Sequence, residues 1–350
     1  MRILIDVLHP AHVHFFRNFH AEMSTRGHEL FITARVKECS TELLDRYGLP
    51  YRTVSRQRSG LGLARELIQR TYRLSQVVTE FRPDVLTGIM GPSIVLAGRL
   101  RRVPAVVFYD TEFATQTNWF TYPLADSVCT PDCYRGRVRG HHLAYPGYHE
   151  LAYLHPKRFS PDPAKLAAFG LRPGDAYSIV RFVALRAVHD VSERGLSSQQ
   201  RLALVDALAR HGKVLISSEG PLTEGLEPLT LRGPVEDIHH ILAHAQVLVG
   251  ESATMASEAA VLGVPAVYIA TTRRGYTDDE EQRYGLVRYF PNRRFEEALG
   301  VIGDLFSNEP PRVWAARARA RLLADKIDVT QWMVDYFHER FQRTSRQKAS

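Results

Sequence analysis

The sequence predicts an α/β protein made of two doubly wound, Rossmann-like parallel sheets, each covered by helices on both faces. Three observations carry this expectation. Short apolar runs alternate with helical stretches from residue 2 to residue 109. A segment punctuated by Pro161, Pro163, Pro173 and Gly174, from Phe159 to Asp175, interrupts the pattern and reads as a link between domains. The alternation then restarts at residue 177 and runs to 270. With 350 residues the chain is long enough for two domains of ordinary size. The expected division is 1–160, 161–312, and a helical end, 313–350, packing back on the first domain.

In order, residues 2–8 form a first strand and 11–26 a helix, with Val13, Phe16 and His20 on one stripe and Phe15 and Phe19 beside it. A second strand follows from His28 to Val36, part of a helix from Leu43 to Tyr47, and a short strand from Tyr51 to Val54. After the loop Gln57 to Gly62 comes a long amphipathic helix, Leu63 to Phe81, stopped by Pro83. Strand 84–89, helix 93–101 and strand 105–109 complete the first half. In the second half the expected strands are 177–183, 213–217, 246–249 and 266–270, with helices at 198–211, 235–244 and 253–262. Residues 271–289 read as a charged and aromatic loop or short helix, and 294–306 and 311–341 as helices.

Composition narrows the class. Hydrophobic residues make up 45% and charged residues 24% of the chain, as in a soluble globular protein. The first residues, with an acid at Asp6, are too short an apolar run for a signal peptide, so a cytoplasmic protein is expected. Three cysteines, Cys39, Cys129 and Cys133, are too few for a disulfide framework or a structural zinc site. The net charge of +7 favours anionic partners. Nucleotide phosphates come first and peripheral contact with an acidic membrane surface second. No nucleic-acid motif accompanies the charge.

The most informative stretch is Gly250 to Ala260. It follows the apolar run Gln246–Val249 and opens a helix of small residues that closes at Gly263 and Pro265. A turn of small and hydroxyl residues at a helix start leaves backbone N–H groups open, and these together with the macrodipole hold a phosphate. Thr254 and Glu258 share one helix face, so the carboxylate could accept from both hydroxyls of a ribose. The competing account is a plain helix cap by Ser252 with an incidental Glu258, and both stay open.

Two such domains would face a central cleft between the carboxyl ends of their sheets, where ligands bind in this architecture. After the first strand stands His9-Pro10-Ala11-His12-Val13-His14, without a Gly-x-Gly-x-x-Gly fingerprint. His12 at a helix start suits a general base, against a histidine that only hydrogen-bonds the turn. His12 and His14 fall on different helix faces, which argues against metal. Gly91-Pro92-Ser93 makes an anion- or hydroxyl-binding turn. Asp110 and Glu112 at the next strand end could bind sugar hydroxyls or form an acid–base pair, against a helix cap by Asp110 or Thr111. Arg181 on an apolar strand is costly to bury without an anion, so Arg181 or Arg186 could clamp a diphosphate. The run Asp278 to Glu281 reads as a solvated helix start more readily than as a metal site.

With these residues in view, the chain resembles the GT-B superfamily. His9-Pro10-Ala11-His12-Val13 and Arg181-Phe182-Val183-Ala184 are similar to a family of uncharacterised predicted glycosyltransferases, catalogued as a domain of unknown function. Broader relatives are UDP-N-acetylglucosamine 2-epimerase and the N-acetylglucosaminyltransferase that completes the peptidoglycan lipid precursor. Ser252 and Glu258 have the spacing of the epimerase-type Ser-Gly-Gly-x-x-x-Glu motif, whose helix start binds diphosphate and whose Glu binds ribose. Ala253 and Thr254 replace its glycines. His12-Val13 resembles the His-Val after the transferase's Gly-rich first loop. Gly88 to Ser93 is similar to its Gly-x-Gly-Gly stretch, and Glu112-Phe113-Ala114 and Leu124-Ala125-Asp126 resemble epimerase segments.

The resemblance implies a metal-independent enzyme using a nucleoside-diphosphate sugar as substrate, with no resident cofactor. Arg181, Ser252, Ala253, Thr254 and Glu258 would hold the nucleotide sugar. His12, Asp110 and Glu112 would be catalytic, and His9, Gly91 and Ser93 would meet acceptor or sugar. Transfer to a saccharide or lipid-linked acceptor is the first expectation. A 2-epimerase using Asp110, Glu112 and His189 and a non-catalytic nucleotide-sugar-binding protein are the alternatives. Nucleic acid is not an expected partner.

Overall fold

The computed structural model describes residues 1–57, 62–112, 115–183, 195–307 and 309–349. Arg186, His189, Phe113, Ala114 and Ala184 lie outside the described residues. The chain divides into two compact units, Met1–Arg158 with Lys326–Ser350, and Phe159–Asp325.

The first unit holds a seven-stranded parallel sheet. Its strands are β1 (Arg2–Val7), β2 (Glu29–Val36), β3 (Tyr51–Arg56), β4 (Val85–Ile89), β5 (Ala105–Phe108), β6 (Ser127–Pro131) and β7 (His142–Tyr145). Their spatial order is β3-β2-β1-β4-β5-β6-β7. The winding reverses between β1 and β4, so the first unit's crevice lies at the carboxyl ends of those two strands. The helices are α1 (Pro10–Thr25), α2 (Ser40–Arg46), α3 (Gly62–Phe81), α4 (Pro92–Arg101), α5 (Thr115–Leu124) and the short α6 (Leu151–Leu154). The central strands β1, β4, β5 and β6 are buried almost without a break, as expected of a sheet covered on both faces. Gly88 on β4 has to be small: a Cβ there would stand 2.9 Å from the Asp6 carbonyl oxygen and 2.5 Å from Ile94 Cδ1.

The second unit holds a five-stranded parallel sheet of β8 (Tyr177–Phe182), β9 (Lys213–Ser218), β10 (Leu248–Gly250), β11 (Ala266–Ile269) and β12 (Val287–Phe290). Its order is β12-β11-β10-β8-β9, with the reversal between β8 and β10. The helices are α7 (Ser198–Ala209), α8 (Ile238–His244), α9 (Ala253–Leu262), α10 (Gly275–Asp279), α11 (Phe295–Leu305) and α12 (Pro311–Asp325). A π-helical turn, Glu280–Tyr284, follows α10. Val180, Phe182, Leu204, Leu208, Ile216 and Val249 belong to one apolar core of this unit.

The expected boundary at 312/313 moves to Asp325/Lys326, because the predicted 311–341 helix is two helices. α12 stays with the second unit: its buried face of Ala315, Ala318 and Leu322 packs on α9, and Arg319 Nε donates to the Val261 carbonyl at 2.7 Å. Only the last helix, α13 (Val329–Ala349), joins the first unit, where Phe337 meets Phe19 of α1 with ring centroids 4.9 Å apart. The link at the other end falls at Arg158/Phe159, beside the expected 160/161. Among the described residues no helix is long and apolar enough to cross a membrane.

Candidate functional site

In the first unit, three adjacent strand ends bring sequence-selected residues into one place. α1 starts directly after β1. His9 caps it, its Nδ1 accepting from the Ala11 amide at 3.2 Å, with Nε2 3.8 Å from Glu38. His12 is buried in the first turn, and its Nδ1 accepts from the Leu8 amide at 3.2 Å. Burial first, then His9, pushes the His12 ring well below its ordinary pKa, while the Asp110 charge opposes them. The ring is therefore neutral near pH 7. With Nδ1 occupied as an acceptor, its proton sits on Nε2. That makes His12 a hydrogen-bond donor, not the proton acceptor expected from sequence.

Asp110 follows β5. Its Oδ2 lies 3.1 Å from His149 Nδ1, and Thr111 Oγ1 donates to its Oδ1 at 2.9 Å. Burial alone would push this carboxyl up; the His149 ring and the Thr111 hydroxyl outweigh it and hold Asp110 at about 2. His149 is the residue that sequence reasoning missed. Its ring is buried against Phe15, with centroids 4.6 Å apart. Its Nε2 meets no hydrogen-bond partner among the described residues. A carboxylate on Nδ1 and a buried, unpartnered Nε2 orient the ring as a general base is oriented. The sequence signal was thin: Gly147-Tyr148-His149-Glu150 follows β7, a short strand with no readable periodicity.

Glu112 turns elsewhere. Its Oε1 accepts from the Arg135 amide at 3.3 Å, and its charge acts on the hydroxyl pair Tyr122–Tyr134, 2.6 Å apart. Gly91 caps α4 without a side-chain hydrogen bond, behind Met90 at φ +59°, with Pro92 in the first turn and Ser93 buried. Among the described residues no group of three His, Cys, Asp or Glu side chains could hold a metal ion.

In the second unit the site forms at the reversal between β8 and β10. Gly250 pairs with Arg181, at φ +155°, and a Cβ there would stand 2.1 Å from the Arg181 carbonyl oxygen. Only glycine lets the chain pass. Glu251 then turns inward. Its Oε1 accepts from the Leu196 amide at 2.6 Å and its Oε2 from the Val183 amide at 3.1 Å. Burial pushes its pKa up, and those two amides oppose the shift. Ser252 caps α9, its Oγ accepting from the Met255 amide at 3.3 Å. Helix geometry leaves the amides of Ala253 and Thr254 without intrahelical acceptors.

Two expectations change here. Arg181 needs no external anion: its guanidinium donates to Ser217 Oγ at 2.8 Å and to Glu219 Oε1 at 2.5 Å. The burial argument was sound, and the counter-charge is internal. Glu258 is buried, not exposed, and its Oε1 lies 2.9 Å from Nε2 of His239 on α8. The run 278–281 is not a solvated helix start. Asp278 is buried 3.3 Å from Arg273, and Glu280 accepts from Ser257 Oγ at 2.6 Å.

Comparison with known proteins agrees with this architecture. Residues 1–137 match the family described as a protein of unknown function, DUF354. No curated protein matches the sequence. UDP-GlcNAc 2-epimerase from Neisseria meningitidis, solved bound to UDP-GlcNAc, superposes with a TM-score of 0.72 at 11% identity, covering 97% of this chain and 100% of that one. MurG from Acinetobacter baumannii gives 0.56 at 15% identity, covering 97% and 100%. SsfS6, a glycosyltransferase of Streptomyces sp. SF2575, gives 0.58 at 12% identity, covering 95% and 99%. At such identities the likeness establishes the fold. The chain thus has a GT-B-like two-domain α/β fold, and its first 137 residues match the model of the family of unknown function DUF354.

Proposed function

We propose that the protein binds a nucleoside-diphosphate sugar, a UDP-sugar first, and transfers the sugar to a saccharide or lipid-linked acceptor. The observation that carries this reading is the start of α9. A glycine no other residue can replace delivers a capped helix with open amides to the reversal point of a parallel sheet. In this reading the amides of Ala253 and Thr254 meet the diphosphate. Glu258, braced by His239, meets the ribose. Ser252 shapes the turn, and Arg181, braced by Glu219, lines it.

The first unit supplies the acid–base groups. The acceptor hydroxyl attacks the anomeric carbon and passes its proton to His149 Nε2. The bond from that carbon to the diphosphate oxygen breaks, and the diphosphate leaves with the electron pair. Asp110 steadies the imidazolium that forms. His12 Nε2–H and the open turn at Gly91 and Ser93, with His9 beside them, bind hydroxyls of sugar or acceptor. The α9 start meets the leaving charge, so the step calls on no metal.

Ala253→Pro tests the carrying observation. Proline suits the first helical position, and Ser252 at φ −99°, ψ 113° tolerates a following proline, so the fold is kept while one amide is lost. UDP affinity by calorimetry should fall about tenfold. Unchanged affinity would remove the diphosphate from α9.

Epimerisation at C2 is a second reading, favoured by the Asp110–His149 pair next to a neutral His12. Following UDP-GlcNAc by NMR without acceptor separates the two. A change of C2 configuration would overturn transfer. Nucleotide-dependent stabilisation without turnover in any acceptor fraction would leave a binding protein.

A further inference from the structure

Seven large apolar side chains are exposed among the described residues, and five of them, Leu63, Ile68, Tyr72, Leu100 and Trp119, lie on α3, α4 and α5 of the first unit. Four are more than 60% exposed: Ile68 (72%), Tyr72 (61%), Leu100 (63%) and Trp119 (69%). They are not scattered. α3 packs on α4 and α4 on α5. Arg101 reaches Ser75 Oγ at 3.5 Å, and Arg99 Nε donates to the Leu124 carbonyl at 2.8 Å. The three helices form one outer layer on one face of the sheet. Ile68 and Tyr72 stand one turn apart on α3, opposite its buried stripe of Leu74, Val77, Val78 and Phe81.

Positive charge predominates in this layer. α4 and α5 contain no Asp or Glu. α3 contains two acids. Glu66 is buried with Arg35 2.7 Å away, and Glu80, near the far end of the helix, pairs with Arg52. Arg65 on α3, Arg99 and Arg101 on α4 and Arg102 at its end are exposed on the same helices. Exposed aromatic and aliphatic groups amid unopposed arginines are costly in water. They suit a surface that offers hydrocarbon beneath a layer of negative charge. A second copy of the same face would bring arginines against arginines, which disfavours self-pairing.

We propose that the outer face of α3, α4 and α5 docks on an acidic phospholipid bilayer, Ile68, Tyr72, Leu100 and Trp119 entering the interface and the arginines meeting lipid phosphates. The proposal stands on this surface alone and not on the glycosyl-transfer reading. Together with that reading it favours a lipid-linked over a soluble acceptor.

Co-sedimentation of the full chain with vesicles tests it. The protein should pellet with phosphatidylcholine vesicles containing about one third phosphatidylglycerol and stay in solution with phosphatidylcholine alone, and about 1 M salt should release it. The exposed pair Ile68→Glu with Trp119→Glu should lower partitioning at least about tenfold. Arg65→Gln with Arg101→Gln should lower it about as much, with circular dichroism and the thermal midpoint unchanged in both variants. Equal pelleting with neutral and acidic vesicles, no pelleting at all, or full binding by these variants would overturn the proposal. So would a wild-type dimer, by light scattering, that the Ile68→Glu, Trp119→Glu pair dissolves.

Discussion

Replacing Asp110 by Asn isolates the Asp110 carboxylate on which the acid–base cluster depends. Asp110 is held at about 2 against an ordinary 3.8. The difference, 3.8 − 2 = 1.8, at about 1.4 kcal/mol per pH unit, gives about 2 kcal/mol of folding stability. The sign follows from the depressed value. The stabilisation is complete above the unfolded pKa, near pH 4, and is lost as pH falls toward 2. Asparagine cannot ionise, so wild type and Asp110→Asn should differ by about 2 kcal/mol at pH 6 and converge near pH 2. Because the chain has two compact units and a single global unfolding step is not assured, the readout is taken from the first unit. Amide hydrogen exchange on β5, measured from pH 6 to pH 2.5 and corrected for intrinsic rates, supplies it. A gap that stays constant with pH would show that Asp110 contributes packing and not its charge, and the case for an oriented His149 would fall with it.

Other outcomes test the second unit. Gly250→Ala forces a Cβ to 2.1 Å from the Arg181 carbonyl, so it should cost more than about 3 kcal/mol and leave residues 159–325 open to limited proteolysis. Glu251→Gln replaces one of two acceptors with a donor facing a backbone amide. It should cost about 1–3 kcal/mol and speed exchange at Val183 and Leu196 above all. His239→Leu and Glu258→Leu should each cost about 1–3 kcal/mol by breaking a buried hydrogen-bonded pair, while the double change costs less than the sum. Additive costs would mean that the two side chains are not coupled.

Backbone architecture was legible in the sequence because it is a local property. An apolar run of four to six residues followed by a 3.6-residue periodicity specifies a covered strand and a covering helix wherever it occurs. α9 was expected at 253–262 and is Ala253–Leu262, since Ser252 and Gly263 mark its ends by their own chemistry. The short strands β6, β7 and β12 were not expected. Four or five residues such as His142-Leu143-Ala144-Tyr145 carry no periodicity, and they become strands only because a neighbouring strand offers its free edge.

The candidate site divides the same way. By itself the sequence determined which residues stand at strand ends: His9 and His12, Gly91 and Ser93, Asp110, and the turn from Gly250 to Ser252. It also determined that Arg181 must have a counter-charge, because a buried guanidinium must. Only the tertiary structure decided who the partners are. Glu219 neutralises Arg181, His239 takes Glu258, and His149 lies 39 positions beyond Asp110 yet orients on its carboxylate. Strand and helix are set by contacts a few residues apart, which the chain displays in its own order. A hydrogen bond between distant residues depends on how strands are ordered in a sheet, and the protonation state that decides donor or acceptor, as at His12, depends on burial that only the assembled sheet creates.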